Sequence, residues 1–285
     1  MPELPEVEVL VRHLRPLLRN RTIQRVEVRR SRVLASTSLR QFRKGLTGAR
    51  FLEASRRGKY LVFDTLPSDG QPRRVLLGHL GMTGRMYLLP AAVALPKHAA
   101  VVLHLGREKF VFEDTRYFGR LTLDTSALER LGPEPLTADF SPVAFGEALK
   151  RSAQPIKVKL LDQSLVAGIG NIYASEALFR AGISPKVAAK RLTRAQTERL
   201  WQAIREVLAE AIGVGSSISL DFGGASERDG LFYYGEKAGA ESSGAERFRV
   251  YDRAGKPCPV CGRLIKRLVQ AARSTFFCPG CQRGR

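Results

Sequence analysis

The chain has 285 residues, with 47 Lys and Arg against 27 Asp and Glu, a formal net charge of +20, and 44 % hydrophobic residues. That length predicts two or more domains, the apolar content is that of a globular protein, and no apolar run approaches the roughly 18 residues of a membrane span. Of the 47 basic residues 35 are Arg, spread along the chain, so a phosphate-rich polyanion is the expected partner, although the codon bias of a GC-rich genome would also enrich Arg.

At the N-terminus Glu3, Glu6 and Glu8 stand where a secretion signal would be positively charged, which predicts a cytoplasmic protein. Residues 3–19 set Val7, Leu10, Val11, Leu14, Leu17 and Leu18 at the period of an amphipathic helix, and Pro5 suits its first turn. From Thr22 to Asp124 short β-rich runs follow one another, at 22–30, 50–56, 59–65, 73–79, 84–89, 99–105, 109–113 and 118–124. Gly and Pro punctuate them as in an antiparallel sandwich or barrel. Residues 125–141, with Gly132-Pro133-Glu134-Pro135, read as a linker. Helical periodicity returns at 142–151, 156–162, 171–181 and 194–212, and 213–247 is rich in Gly, Ser and Ala, as in a flexible loop. The predicted fold is α+β and multidomain: residues 1–124, the linker 125–141, a helical domain 142–247 and a small module 248–285.

All four cysteines lie in that last module, as Cys258-x2-Cys261 and Cys278-x2-Cys281 separated by 16 residues. Each pair places two thiolates on one knuckle, and the arm between returns as a hairpin to complete a tetrahedron. A closed four-Cys shell predicts one structural Zn2+. Two redox pairs would need a βαβ context that is missing. Arg263, Lys266, Arg267 and Arg273 make the arm basic.

The opening Met1-Pro2-Glu3-Leu4-Pro5-Glu6 admits two readings. One is a plain Pro-Glu helix start. The other is chemical: removal of Met1 would free Pro2 as a secondary amine titrating near 8, against about 10.4 for Lys. Near neutral pH such an amine is partly unprotonated, can attack the anomeric carbon of a deoxyribose, and gives an iminium that acts as an electron sink. Glu3 beside it would donate or relay a proton.

The opening PELPEVE at 2–8 is followed by RRGKY at 56–60, HLGMTGR at 79–85, FEDTRYFG at 112–119, LLDQSLVAGIGNIYASEALF at 160–179 and the terminal cysteine hairpin. In that order and spacing, the chain resembles the formamidopyrimidine-DNA glycosylase family, which also holds endonuclease VIII. The resemblance implies an N-terminal helix on an antiparallel β-sandwich, a helix–two-turn–helix domain and a four-Cys zinc finger. It also implies a base excision repair enzyme, acting as a bacterial, nucleoid-associated monomer on double-stranded DNA with oxidised purines or abasic sites. Base removal would be followed by β,δ-elimination.

Residue by residue, the resemblance makes Pro2 the Schiff-base nucleophile, Glu3 a proton donor and Lys59 the lysine that assists β-elimination. Lys59 read alone is a turn cation. Met82, Arg116 and Phe118 correspond to residues that fill the gap left by an everted nucleotide, with Arg116 facing the estranged cytosine; Met82 and Phe118 read alone are core residues. Asn171, at a helix start, would bind phosphate or cap the helix. Arg273 would clamp the lesion phosphates and serve δ-elimination. His79 and His98 match phosphate-side positions, and Lys150, Arg151 and Lys157 form a basic stretch that would track the backbone.

Two features depart from the family pattern. Tyr117 stands where a second Arg often follows Arg116, and the loop 216–247 is long. Two other functions compete: a pyrimidine-selective enzyme like endonuclease VIII, and a basic zinc-finger protein that only binds nucleic acid.

Overall fold

The computed structural model describes residues 2–216 and 248–283. The described residues form two compact units, 2–129 with 215–216, and 130–214 with 248–283. The loop expected over 213–247 lies outside the described residues from 217 onward, and 213–216 continue a helix.

The first unit opens with α1 (Leu4–Leu18), which buries Val7, Leu10, Val11, Leu14 and Leu18 and leaves Leu17 outside. Pro5 lies in the first turn, and the N–H of Glu3 donates to Glu6 Oε2 at 2.9 Å. The strands are β1 (Arg25–Val28), β2 (Arg50–Arg57), β3 (Tyr60–Leu66), β4 (Arg74–His79), β5 (Gly84–Pro90), β6 (Ala99–His104), β7 (Glu108–Asp114) and β8 (Arg120–Thr122). They form two four-stranded antiparallel sheets, in the orders β1-β6-β7-β5 and β2-β3-β4-β8. Phe51 and Phe63 of one sheet meet Phe110 of the other edge to face, with centroids 6.3 and 5.6 Å apart, so the core lies between the sheets. The fold is thus a sandwich, not a barrel.

Helix α2 (Leu39–Leu46), between β1 and β2, was not anticipated. It is short and basic, but its start is written as Ser38-x-x-Gln41: the Gln41 N–H donates to Ser38 Oγ at 3.2 Å, and the Ser38 N–H to Gln41 Oε1 at 3.1 Å. Phe42 and Leu46 anchor it in the core. The unit ends on α3 (Ser126–Glu129).

In the second unit residues 130–141 are not a free linker. Gly132 N–H donates to Gln163 O at 2.8 Å, Ala167 N–H to Pro133 O at 3.0 Å, Arg205 Nη1 to Pro135 O at 2.8 Å and Trp201 Nε1 to Phe140 O at 2.7 Å. A Cβ on Gly132 would lie 2.3 Å from Ser164 O, so only glycine allows this approach. The helices are α4 (Pro142–Lys150), capped by Ser141, α5 (Ile156–Lys159), α6 (Asn171–Arg180) and α7 (Arg194–Ser216), of which residues 194–214 belong to this unit. Hairpin β9 (Lys266–Gln270) and β10 (Arg273–Phe277) completes the unit. Its entry is held by Glu176 of α6, whose buried carboxyl accepts the N–H groups of Arg249, Val250 and Tyr251 at 2.9, 2.9 and 2.8 Å. Burial raises its pKa, against the pull of those three donors.

Candidate functional site

Strand register brings several of the expected residues to one end of the first unit. Helix α1 runs antiparallel to β2: Arg15 Nε meets Ala54 O at 2.8 Å, while Glu8, nearer the helix start, meets Arg56 Nε at 2.9 Å. The N-terminus of α1, with buried Pro2 and Glu3, therefore points to the β2–β3 turn. That turn is Gly58-Lys59, with Gly58 at φ +57°, the geometry glycine supplies at the first central position of a two-residue hairpin. Lys59 is buried. Arg56 Nη1 donates to Gly58 O at 2.9 Å, so Glu8 and Arg56 strap helix and turn together. Burial works against ionisation of Glu8, but Arg12 and Arg56 outweigh it and hold its pKa below the ordinary value. Met1 lies outside the described residues.

Next to this turn, Tyr60 pairs with His79, their rings 4.8 Å apart. His79 Nδ1 accepts the Gly81 N–H at 3.1 Å, so the neutral ring carries its proton on Nε2. Burial, then the charges of Lys59 and Arg120, lower its pKa to about 4. A folded-state value below the free value of about 6.5 means that the unfolded chain binds the extra proton first. The contribution of His79 to stability is thus full above about pH 6.5 and is lost as pH falls toward 4. His79→Asn, which keeps an acceptor for Gly81, is expected to flatten the fall in melting temperature between pH 7 and 4.5. An unchanged slope in thermal scans would contradict this.

From His79 the chain crosses to the other sheet through Leu80–Thr83, and it returns from Asp114 through Thr115–Gly119. The ends of the two crossovers pair with each other, Gly84 with Asp114 and His79 with Arg120. Met82 and Phe118 stand 45 % and 50 % exposed on these crossovers, too open for the core packing that either would usually have. Arg116, also exposed, places Nη1 3.7 Å from Met82 Sδ. Tyr117 takes φ +55°; its ring lies under the Arg30 guanidinium at 5.5 Å, and its hydroxyl is 3.4 Å from His98 Nδ1. His98 therefore reaches the same end of the sandwich.

In the second unit Gly170, not Asn171, is the N-cap of α6. Asn171 Oδ1 accepts from Lys157 Nζ at 2.6 Å, and its Nδ2 donates to Ser274 O at 2.9 Å, next to Arg273 in β10. Lys157 is 1 % exposed, so it orients the Asn171 amide from beneath instead of lying on the surface as expected. Arg151 is exposed at the end of α4, and Arg273 beside the tip of the hairpin. Ala271 and Ala272, at the hairpin tip, both take positive φ, 46° and 57°. Two-residue turns of this kind favour Asn-Gly, so two alanines store strain beside Arg273.

The sulfurs of Cys258, Cys261, Cys278 and Cys281 lie within 4.8 Å of one another, with Cys261 to Cys278 at 3.4 Å and Cys258 to Cys281 at 3.8 Å. A tetrahedron with Zn–S bonds of about 2.3 Å sets sulfurs roughly 3.8 Å apart, so the four thiolates fit one structural Zn2+ with no open position. Ile265, Phe276 and Val250 are the main apolar support of the module.

Sequence reasoning passed over the strap Glu8–Arg56, the carboxyl of Glu176 and the buried Asp114. Each has at least one partner distant in sequence, Arg56 for Glu8, residues 249–251 for Glu176 and Thr83 for Asp114, and the only signal in the sequence is their place inside the quoted segments.

Comparison with known proteins gives matches along the chain. The formamidopyrimidine-DNA glycosylase N-terminal domain matches residues 1–121, that enzyme's H2TH domain matches 131–222, and a zinc finger found in FPG and IleRS matches 255–284. A formamidopyrimidine-DNA glycosylase of Thermus thermophilus is 43 % identical over 289 residues, covering 99 % of this chain and 98 % of the relative. The Lactococcus lactis Fpg (MutM) bound to N7-benzyl-Fapy-dG DNA superposes with a TM-score of 0.85 at 33 % identity, over 99 % of this chain and 100 % of that one. A MutM complex with carbocyclic 8-oxo-G DNA has a TM-score of 0.84 at 32 % identity, over 99 % and 100 %.

Proposed function

The chain belongs to the formamidopyrimidine-DNA glycosylase family, and on that premise we propose that it excises oxidised purines from duplex DNA and then cuts the strand at the abasic site. The observation that supports this most is the meeting, at one end of the first unit, of the α1 N-terminus, the Lys59 turn and the exposed Met82–Arg116–Phe118 group. The two DNA complexes named above, with formamidopyrimidine and 8-oxoguanine lesions, support the purine class. The charge of +20 supports binding to the phosphate backbone, and the bacterial cytoplasm, with the protein monomeric at the nucleoid, is the setting this reading entails.

In this reading the Pro2 nitrogen attacks C1′ of an everted nucleotide, and the base leaves with the glycosidic bond electrons. The C1′–O4′ bond then opens, O4′ taking a proton as the nitrogen loses its own, which leaves an iminium at C1′. Glu3 supplies a proton to the departing or opening group. The resulting iminium acidifies C2′; loss of that proton, assisted by Lys59, expels the 3′ phosphate, and a second elimination, the step that the resemblance links with Arg273, expels the 5′ phosphate. His79 and His98 line the phosphate side of the first unit's site, and in the second unit Arg151 and Asn171 are the residues proposed to touch phosphates. The Nε2–H of neutral His79 is a donor suited to a phosphate oxygen. Lys157 acts through Asn171.

Arg116 has only donors to offer, which suit the O2 and N3 acceptors of cytosine better than adenine with its N6 amino group. Arg116→Ala is expected to slow excision of 8-oxoguanine and to narrow the preference for cytosine over adenine as the opposite base. Single-turnover rates on matched duplexes measure both, and an unchanged preference would remove Arg116 from opposite-base reading. Comparing 8-oxoguanine with thymine glycol in the same assay tests the purine class: faster release of thymine glycol would favour an enzyme of the endonuclease VIII kind.

A further inference from the structure

We propose that Asp114 is a positioning residue that makes Met82, Arg116 and Phe118 move as one piece when a nucleotide is extracted. The inference rests on the role given to those three side chains above. They come from two separate crossovers whose ends are paired strand to strand, His79 with Arg120 and Gly84 with Asp114. Between those ends Asp114 links them through its side chain. Its carboxylate is fully buried. Oδ1 accepts from Thr83 Oγ1 at 2.6 Å, next to Met82, and from the Arg116 N–H at 3.1 Å; Oδ2 accepts the Gly119 N–H at 2.7 Å, next to Phe118.

Backbone packing reinforces the staple. Gly81 takes φ +61°, and a Cβ there would lie 2.6 Å from Gly119 N, so the two turns are in direct contact. The consequence is mechanical. A plug and a wedge that filled the stack independently would each have to be ordered on insertion, whereas a pre-assembled pair is ordered already.

The test exploits the hydrogen-bond pattern. Both carboxylate oxygens receive backbone N–H groups, so Asp114→Asn puts an amide N–H2 against a backbone donor in either orientation. The variant keeps size and shape but cannot satisfy both the Arg116 and the Gly119 N–H, so the crossover that carries Arg116 and Phe118 loses its fixed seat on residue 114. Thr83→Val, which removes the Thr83 hydroxyl, tests the link to the Met82 crossover directly. Single-turnover excision of 8-oxoguanine opposite cytosine is expected to fall by about ten-fold to a hundred-fold, the factor that one buried unsatisfied donor gives. The cytosine-over-adenine ratio should narrow as well, because Arg116 is misplaced. For the same lesion opposite an abasic nucleotide, where there is no pair to break and no base to read, the loss should shrink to less than about three-fold.

Should Asp114→Asn fail to fold, Thr83→Val removes only the Thr83 arm and should give a smaller loss of the same pattern. An equal loss on paired and unpaired lesions, or an unchanged opposite-base ratio, would overturn the staple. Wild-type protein that excises neither lesion would overturn the underlying glycosylase reading instead, so the two failures are distinguishable.

Discussion

Protein that retains Met1 is expected to bind lesion duplex normally and to leave it uncut. Retention converts the Pro2 nitrogen from a secondary amine into an amide, which has no basic lone pair and cannot form an iminium. The fold should be untouched, since α1 is held by Val7, Leu10, Val11, Leu14 and Leu18 and by the Glu8–Arg56 pair, none of which involves that nitrogen. Both base release and abasic-site cleavage should drop below detection, because in the proposed mechanism both run through the same covalent adduct. Gel mobility with a lesion duplex gives the binding, and denaturing gels give the cleavage. A Met1-bearing preparation, verified by mass, that still cuts abasic DNA would place the nucleophile elsewhere. Glu3→Gln should separate from this: it keeps the amine, so abasic cleavage persists while base excision, which needs the proton, is impaired by roughly 10²-fold or more.

Cys258→Ser is expected to cost DNA binding without unfolding the first unit. The cysteine module has few buried apolar side chains, and free energies of roughly 10–16 kcal/mol are available from a structural zinc at neutral pH. With one ligand gone, hairpin β9–β10 loses its anchor, and with it the seat of Arg273 and the bond from Asn171 Nδ2 to Ser274 O. Affinity for lesion duplex should fall by roughly a hundred-fold or more at physiological salt, as several cation–phosphate contacts vanish together. The salt dependence of the residual binding should be shallower for the same reason. Chelation of the wild-type protein should reproduce both effects. Normal duplex affinity in zinc-free protein would show that the module does not hold DNA.

Much of the fold can be read from the chain because the signals are local. The apolar stripe of α1 and the pairing of Cys258 with Cys261 and of Cys278 with Cys281 depend on spacing alone. Alternation and turn residues locate the strands but do not say whether the sheet closes on itself; the sandwich is implied by the family resemblance, and Phe51, Phe63 and Phe110 between the two sheets bear it out. Helix α2 was overlooked because few apolar residues mark it, though its Ser38–Gln41 box was in plain view.

At the site, the family segments single out Met82, Arg116 and Phe118; sequence pattern alone would place Met82 and Phe118 in the core, and it is silent on what holds them. Asp114 and Arg56 gain their meaning from remote pairing, Asp114 from Gly84 and Thr83 and Arg56 from Glu8, which no local pattern encodes. Lys157 shows the opposite error. A lysine in a basic stretch reads as a surface cation, whereas the structure buries it beneath Asn171. Burial of a charged residue is decided by a partner remote in sequence, here fourteen residues on in the next helix.

The most direct measurement is identification of the adducted residue after borohydride reduction of the processed protein with an abasic or 8-oxoguanine duplex. Reduction freezes the iminium as a stable amine, and proteolysis with mass spectrometry locates it. The expected result is a single deoxyribose-derived adduct on the peptide that begins with Pro2. An adduct on the peptide containing Lys59, or no trapped complex with a duplex that the protein demonstrably binds, would contradict it.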